Sequence, residues 1–441
     1  MEALDRAAGP TDPVGTRSDR VPYPDAAFDA LVTVLDEIRL KGARSRSEIV
    51  SRTGLGRGIV ANRVGELLDR GLVVEGEAAV ATGGRRARQL RFHGEAGHVL
   101  VADLGATSVD VALTTLDGAI LSHHEEPSDI GAGPEACLAR VDRLLRQLIE
   151  TTANAPGCLW GIGVALPGPV EFRIGRPIAP PIMPGWDGYP VREYFAAQYN
   201  VPVWVDNDVN VEALGEWRSG IAAGHQNVVV IKIGTGIGAG IISDGRIHRG
   251  AQGAAGDVGH VQVVDDSRVV CRCGNIGCLE ALAGGAALGR DGEAAARSGQ
   301  SGLLNAVLER RGTVTAEDVA DAASHGDPVA IALIEEAGRR IGLMLATVVN
   351  FFNPSLVVIG GGVAQSGDRL LAAIRGTVYR RSLPLATREL LIQRSSLGGL
   401  AGVAGASSMV VDQLFSRGSL ARWAHAGSPS GMPDIVLESA V

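Results

Sequence analysis

Near the start of the chain, apolar residues recur at intervals of three and four, the spacing that places side chains on one face of an α-helix. The first run comprises Phe28, Leu31, Val32, Leu35 and Ile38, and Gly42 ends it. Ser45 and Glu48 have the spacing of a capping box, which predicts that a second helix begins there. After the turn Gly54-Leu55-Gly56, a third helix is predicted with Val60, Val64, Leu67 and Leu68 on its inner face and its end at Gly71. Helix, short turn, helix is the helix-turn-helix arrangement.

The stretch LVVEGEAAVATGGRRARQLRFH follows the third helix and alternates like two short strands around Gly83-Gly84. We interpret it as a wing whose arginines could reach phosphates or a narrow minor groove. From residue 39 to 91 there are twelve Lys/Arg and five Asp/Glu, a net charge of +7. The whole chain carries −8, so the remainder carries −15. A basic block on an acidic protein indicates that one module meets a polyanion.

The outward face of the third helix supplies the candidate DNA contacts. Arginine and asparagine are well shaped for bidentate hydrogen bonds with guanine and adenine edges. The candidate residues are Arg57, Gly58, Ala61, Asn62 and Arg63 on the helix, and Arg85, Arg86 and Arg88 near the tip of the wing. Two alternatives stay open at this point: a three-helix protein-interaction module of the same shape, and a solvated basic surface.

Downstream of this block, predicted strands are joined by glycine-rich turns. The strands 99–103 and 109–114 flank an Asp-x-Gly-x-Thr turn, and VVVIKIGTGIGAGIISDG repeats the same strand, turn, strand pattern. Two such hairpins suggest a duplicated fold whose phosphate-binding loops face each other across a cleft. A third cluster ends NPSLVVIGGG, where a helix could begin under a nucleotide. The candidate nucleotide-binding residues are Asp103, Gly105, Thr107, Gly234, Thr235, Gly236, Gly238, Gly360, Gly361 and Gly362.

Between the two hairpins lies VPVWVDNDVNVEALGEW, which predicts a strand over 201–205 followed by a helix. Asp206, Asn207 and Asp208 come at the end of that strand, where α/β sheets place their ligand chemistry. A carboxylate there can accept the proton of a sugar hydroxyl that attacks a γ-phosphate. Asp208 is the preferred candidate for this base and Asp206 the second. The alternative role for either is to cap the following helix.

The length of 441 residues predicts two or three domains. We expect a disordered arm over 1–25, a DNA-binding domain over 26–95, a kinase-like body over 96–415 and a C-terminal tail over 416–441. The body should have lobes at about 96–208 and 209–395, with a C-terminal helix that returns to the first lobe. The first 20 residues lack the pattern of a signal peptide, and the five cysteines are an odd number. Both features predict a reducing cytoplasm.

Eight motifs in order resemble the ROK family of repressors, open reading frames and sugar kinases. They are DLGATSVDVAL, GVALPGPV, PGWDGYPV, VDNDVN, IGTGIGAGII, GAAGDVGHV, CRCGNIGCLE and NPSLVVIGGG. The resemblance covers about residues 28–415 and implies an α/β, two-lobed ATPase fold of the actin/hexokinase type. A winged helix-turn-helix ahead of that body makes the chain similar to the regulators of the family. The resemblance also implies a homodimer or homotetramer.

The cysteine-rich stretch then acquires an interpretation. Zinc takes four nitrogen or sulfur ligands, and His260, Cys271, Cys273 and Cys278 supply that number. A reactive thiol or a disulfide is the alternative. The resemblance implies that the zinc is structural and holds the histidine loop towards a sugar cleft. It also implies sugar contacts from Gly168, Asn207, Asp208, Asp257, His260 and Glu280.

Two positions depart from the family's kinase pattern. Asp257 stands where ROK kinases usually have glutamate, and Ile182 stands where they usually have a sugar-binding asparagine. A lost hydrogen-bonding group can cost about 1–3 kcal/mol, so we expect ligand binding with little or no phosphorylation. The main hypothesis is a sugar-responsive repressor that binds double-stranded operator DNA and a sugar or sugar-phosphate effector. The alternative is a sugar kinase using ATP and Mg²⁺ with an accessory DNA module; a regulator with a non-sugar ligand or a protein partner is a third option.

Overall fold

The computed structural model describes residues 25–78, 88–152, 159–265, 268–365 and 367–438. The predicted arm, apart from Asp25, lies outside these residues, as do residues 79–87 of the predicted wing, which include Gly83, Gly84, Arg85 and Arg86. The N-terminal module consists of α1 (Asp25–Arg39), α2 (Arg46–Thr53), α3 (Arg57–Asp69), β1 (Val73–Ala78) and β2 (Arg88–Phe92). The two strands pair antiparallel, and the three helices enclose the apolar residues that the helical spacing selects.

The helix ends of the module follow from local chemistry. The Ser45 hydroxyl accepts a hydrogen bond from the backbone N–H of Glu48 at 3.2 Å and caps α2. The Glu48 carboxylate accepts from the N–H of Arg44 at 2.9 Å. The structure thus differs from the predicted capping box in one bond: Glu48 accepts from the N–H of Arg44 and not from that of the N-cap residue Ser45. Gly54 ends α2 with φ 71°, a left-handed conformation that glycine adopts without steric cost.

The first lobe is built on a five-stranded sheet in the order β5-β4-β3-β6-β9. Its elements are β3 (His98–Leu104), β4 (Ser108–Thr115), β5 (Ile120–Pro127), α4 (Pro134–Thr151), β6 (Leu159–Leu166), β7 (Val170–Glu171), β8 (Arg176–Pro177), α5 (Val191–Tyr199) and β9 (Val203–Asn207). The strand predicted over 201–205 is thus shifted by two residues, and Asp206 and Asn207 belong to it. The following helix, α6 (Asp208–Ser219), begins where β9 ends.

The second lobe repeats this plan with the order β12-β11-β10-β13-β14. Its elements are β10 (Val228–Ile233), β11 (Ile237–Ser243), β12 (Arg246–Ile247), α7 (Leu279–Ala283), α8 (Gly285–Arg297), α9 (Gly302–Arg311), α10 (Ala316–Ser324), α11 (Pro328–Phe352), β13 (Leu356–Gly360), α12 (Asp368–Arg381), α13 (Pro384–Thr387) and β14 (Leu391–Arg394). After the third glycine cluster a 3₁₀ turn (Gly362–Gln365) precedes α12, instead of an α-helix that begins directly at the glycines.

Both sheets have three antiparallel strands followed by two that run parallel to the first. This shared order is the duplication that the two glycine hairpins indicated. The chain then returns through α14 (Ala401–Leu414), which packs on α6, β3 and β6, and α15 (Arg417–Trp423). Gly402 of α14 lies against Asp103 so closely that an added Cβ would be 1.8 Å from its carboxylate.

The C-terminal residues contribute to the core. Trp423 and Ile435 are each 1% exposed and lie in one cluster with residues of the N-terminal module and the first lobe. Trp423 contacts Phe415 with ring centroids 5.5 Å apart, and Phe415 contacts Phe92 of the module at 5.4 Å. The predicted tail is therefore, as far as residue 438, a structural part of the contact between module and body.

Ion pairs also join the module to the body. Asp412 of α14 contacts Arg39 of α1 at 3.0 Å and Arg218 of α6 at 2.5 Å. The Arg70 guanidinium donates to the carbonyl of Ala424.

Among the described helices, none is both long enough and apolar enough to span a bilayer.

Candidate functional site

A cleft of about 1000 Å³ lies between the two lobes, where the glycine turns of both sheets meet. It gathers residues from each of the predicted motifs. The nucleotide-binding candidates on its wall are Asp103, Gly105, Thr107, Gly234, Thr235, Gly236, Gly238, Gly361 and Gly362, and the sugar-binding candidates are Gly168, Asn207, Asp208, Asp257, His260 and Glu280. Gly360 ends β13 and does not line this cleft. Ile182 lines it.

Glycines in the turns of the second lobe give room to neighbouring groups. A Cβ on Gly236 would lie 2.1 Å from a carboxylate oxygen of Glu280, so glycine is needed for Glu280 to reach the turn. Glu280 in turn accepts a hydrogen bond from the N–H of Ile237 at 3.2 Å. Gly361 has φ 85° and its missing Cβ would lie 2.4 Å from the carbonyl oxygen of Ile233. Gly236 therefore admits the Glu280 side chain, and Gly361 admits the backbone of β10.

Asp206, Asn207 and Asp208 have different environments although they are adjacent. Asp206 is fully buried and is held by Arg249 at 2.7 Å. Asn207 caps α6 by accepting from the N–H groups of Val209 and Asn210, and its amide donates to Gly168 O and Asp208 Oδ1. The capping role expected for an aspartate thus falls to Asn207, whose donors and acceptors are all engaged within the chain. Asp208 is the carboxylate that lines the cleft.

Asp208 has a cationic partner that the sequence motifs did not reveal. Lys232 of β10 places its Nζ 2.8 Å from Asp208 Oδ2 and 2.7 Å from Glu212 Oε1. Asp208 and Glu212 are four residues apart on α6, so one face of that helix presents both carboxylates. Burial lowers the pKa of Lys232, but these carboxylates and Asp103 outweigh it and hold the pKa well above its ordinary value. Lys232 is therefore a permanent cation in the cleft.

Asp103 is the second buried acid at the glycine turns. It is 7% exposed, and its Oδ1 has no hydrogen-bond partner among the described residues. Burial raises the pKa of Asp103 to about 7, while Lys232 acts in the lowering direction. A carboxyl group with this pKa exchanges a proton near neutral pH, in contrast to an ordinary surface aspartate.

The histidine loop joins the cleft to the cysteine cluster. His260 Nδ1 lies 3.5 Å from the sulfur of Cys271, and His260 Nε2 lies 3.9 Å from Asp257 Oδ1 on the cleft side. One ring nitrogen thus faces the cysteines and the other faces a predicted sugar-binding residue. A metal that fixed Nδ1 would orient the whole imidazole towards the cleft.

The cysteine cluster has the dimensions of a tetrahedral metal site. The ligand atoms of His260, Cys271, Cys273 and Cys278 all lie within 4.8 Å of one another. The sulfurs of Cys273 and Cys278 are 3.8 Å apart, which matches the edge of a tetrahedron with zinc–sulfur bonds of ~2.3 Å. Burial raises the pKa of Cys278 to about 12 and also raises that of Cys271, so a dication is needed to turn these thiols into thiolates near neutral pH. The four residues therefore fit structural zinc.

The outward face of α3 lies away from the cleft. Arg57, Gly58, Ala61 and Asn62 are exposed, whereas Arg63 is partly buried and paired with Glu66 at 2.5 Å. Arg88 at the start of β2 has a side chain 70% exposed. Arg85 and Arg86 lie outside the described residues.

Comparisons with known proteins place this geometry in a family. The ROK family model matches residues 99–413. The xylose repressor of Caldicellulosiruptor bescii is 31% identical over 388 residues, covering 88% of this chain and 95% of the repressor. The structure of a ROK family transcriptional regulator, a homologue of the Escherichia coli MLC protein, is 28% identical, with a TM-score of 0.76 over 90% of this chain and 98% of that one.

A kinase structure resembles the body alone. The ROK family glucokinase of Streptomyces griseus, solved with glucose and AMPPNP, is 29% identical, with a TM-score of 0.63. It is matched over 99% of its own length but over only 71% of this chain. The chain therefore belongs to the ROK family, with its actin-like, kinase-type fold.

Proposed function

We propose that the protein is a sugar-responsive transcriptional repressor. The observation that carries the proposal is the extent of the similarity to the xylose repressor. Its 388 matched residues exceed the ROK-matched segment 99–413 and everything after it, so the match includes much of the N-terminal module. In this proposal residues 26–95 bind operator DNA and residues 96–415 sense the ligand.

The N-terminal module has the surface that DNA binding requires. The exposed face of α3 presents Arg57 and Asn62 at the start of the second helix of the pair, where helix-turn-helix proteins contact base edges. The net charge of +7 over 39–91 supplies attraction to phosphates. Arg85, Arg86 and Arg88 would supply the DNA contacts of the wing.

The cleft favours an uncharged or amino sugar over a phosphorylated one. Among its described lining residues, nine carry carboxyl groups and only Lys232 and Arg290 are permanent cations. Lys232 is already paired with two carboxylates, so a phosphate ester would meet net repulsion. Asp208, Asp257 and Glu280 offer acceptors for sugar hydroxyls. Zinc at the cysteine cluster would hold His260 in place beside them.

A chain of contacts leads from the cleft to the N-terminal module through α6 and Asp412. The helix α6 begins at Asp208 in the cleft and carries Arg218 near its end. Arg218 and Arg39 share Asp412, and Arg39 ends the first helix of the module. A ligand that shifts α6 would therefore change the support of α1. In this proposal the two sites are coupled through one packed pair of helices and one shared carboxylate.

Self-association completes the proposal, because helix-turn-helix proteins bind paired half-sites as symmetric dimers. The second lobe exposes large apolar side chains close together. Phe351 is 92% exposed, and Leu383 and Leu385, which follow the adjacent α12, are 70% and 74% exposed. Burial of this patch in a homodimer or homotetramer would remove it from water.

The competing function is an ATP-dependent sugar kinase with an accessory DNA module. It is favoured by Asp208, whose carboxylate lines a cleft together with two glycine hairpins of the kind that bind phosphates. The experiment that separates the two measures operator binding with and without sugars, beside phosphorylation of the same sugars. The repressor proposal requires an effect of sugar on DNA binding without turnover.

A further inference from the structure

Lys232 is a lysine in a chain whose basic residues are almost all arginines. Of 41 Lys and Arg residues only Lys41 and Lys232 are lysines. Lysine differs from arginine in being a compact point charge rather than a planar fork. Position 232 therefore holds the cation that most resembles a small metal ion.

The sheet gives this side chain its space. Lys232 pairs with Gly238 on β11 and with Gly360 on β13, so both cross-strand neighbours lack side chains. Its side chain is 21% exposed and projects into the cleft wall two residues before the turn Gly234-Thr235-Gly236. Two glycines flanking one lysine leave room for its ammonium group to reach α6, which packs on β10 and β11.

Two carboxylates contact the ammonium group and a third acid lies near it. Asp208 and Glu212 contact Nζ directly at 2.8 and 2.7 Å, and Asp103 is close enough to raise the pKa of the lysine. A sugar kinase needs Mg²⁺ near such carboxylates to hold the nucleotide phosphates. Here a second cation would have to enter beside an ammonium that already occupies the same oxygens. Like charges at this distance repel strongly in a partly buried site.

We propose that Lys232 is a built-in replacement for the divalent cation, which keeps Asp208 as a sugar-hydroxyl acceptor and excludes magnesium-dependent phosphate chemistry from the cleft. The residues therefore do not fit Mg²⁺ beside Asp208. This inference rests on the proposed repressor function and names the residue that separates sensor from kinase.

The alternative role for Lys232 is to bind nucleotide phosphates, and it can be tested. Lysines in phosphate-binding loops hold nucleotide phosphates as point charges, so Lys232 could instead bind the phosphates of ATP. In that case MgATP would stabilise the unmodified protein, and removal of the lysine would abolish the effect. The replacement role requires the reverse: no response in the unmodified protein and a gain of response to Mg²⁺ alone when the lysine is removed.

The test is thermal unfolding of the full-length protein in increasing MgCl₂, with and without ATP. Lys232→Met keeps the length of the side chain and removes the charge, and Lys41→Met on the DNA module is the matched control. We expect no change in Tm with millimolar Mg²⁺ for the unmodified protein and for Lys41→Met. Lys232→Met should gain about 2 °C or more, since a ligand at a hundred times its Kd raises Tm measurably.

Lys232→Arg keeps the charge and should remain unresponsive to Mg²⁺, which makes the test independent of whether Lys232→Met folds well. Stabilisation of the unmodified protein or of Lys232→Arg by Mg²⁺, or a folded Lys232→Met that ignores it, would overturn the inference. Tm shifts with neutral sugars, recorded on the same unmodified sample, address the proposed function separately. A protein that responds to sugar and also to Mg²⁺ would refute only the role of Lys232.

Discussion

Arg57 is the residue on which operator recognition is expected to depend most. It is exposed at the first position of α3, where a guanidinium can reach a guanine edge. We expect Arg57→Ala to weaken operator binding by about 1–3 kcal/mol while random DNA is bound nearly as before. Arg46→Ala is a charge-matched control on α2, where the arginine pairs with Glu75. Equal losses for operator and random DNA with Arg57→Ala, measured by gel shift, would show that this helix does not read bases.

The sequence predicted many of the residues that line the cleft, but not the cation that pairs with its carboxylates. Asp208, Glu280 and the glycine turns belong to local motifs, and local motifs can be found without a structure. Lys232 could not be found in this way, because its importance comes from its contacts with Asp208 and Glu212, which no local motif shows. The four-residue spacing of Asp208 and Glu212 was the available signal that one face of α6 needs a cation.

At the scale of elements, the prediction that His260 and the three cysteines come together is confirmed, since their ligand atoms lie within 4.8 Å of one another. We expect one zinc ion per chain, and Cys273→Ser should lose it because one of four ligands is replaced by a weaker one. Loss of zinc should also remove the response to sugar, since His260 would no longer be fixed beside Asp257. Metal analysis and sugar-dependent Tm shifts test this.

Cys137→Ser is the matched control for the zinc prediction, because Cys137 is a buried thiol of α4 outside the cluster. It should keep both the zinc and the sugar response. Zinc-free protein that still responds to sugar would separate the metal from the function.

The paired helices α6 and α14 are the element that we expect to carry the ligand signal. Asp412→Asn removes the charge shared by Arg39 and Arg218 but touches no residue of the cleft. Sugar affinity measured by calorimetry should stay within about threefold. The effect of sugar on operator affinity should fall, since couplings of this kind amount to about 1–3 kcal/mol.

Asp142→Asn is the control for the coupling prediction, because Asp142 pairs with Arg146 on the first lobe away from the module. An undiminished sugar effect in Asp412→Asn would mean that the signal travels elsewhere. Sequence alone could not indicate this route, because Arg39, Arg218 and Asp412 are far apart in the chain and belong to no motif.

For the whole molecule, the duplicated sheets and the N-terminal helices followed from periodicity and glycine spacing. The position of the C-terminal residues could not be predicted in this way. The stretch 416–441 resembles a tail because it is short and lacks a repeating pattern, yet Trp423 and Ile435 are buried against the module and first lobe. Their burial depends on surfaces made by distant segments. The C-terminal residues therefore help to fix the N-terminal module on the first lobe.

The most direct test of the repressor account combines DNA binding with turnover. Operator DNA is first selected from a random pool with the full-length protein, and its affinity is then measured by fluorescence anisotropy with a panel of neutral, amino and phosphorylated sugars. The same sugars are assayed for phosphorylation with ATP and Mg²⁺. The account predicts that at least one uncharged or amino sugar changes operator affinity about tenfold or more, without phosphorylation. Operator affinity that no sugar alters, together with turnover near or above ~1 s⁻¹, would contradict it and identify the protein as a kinase.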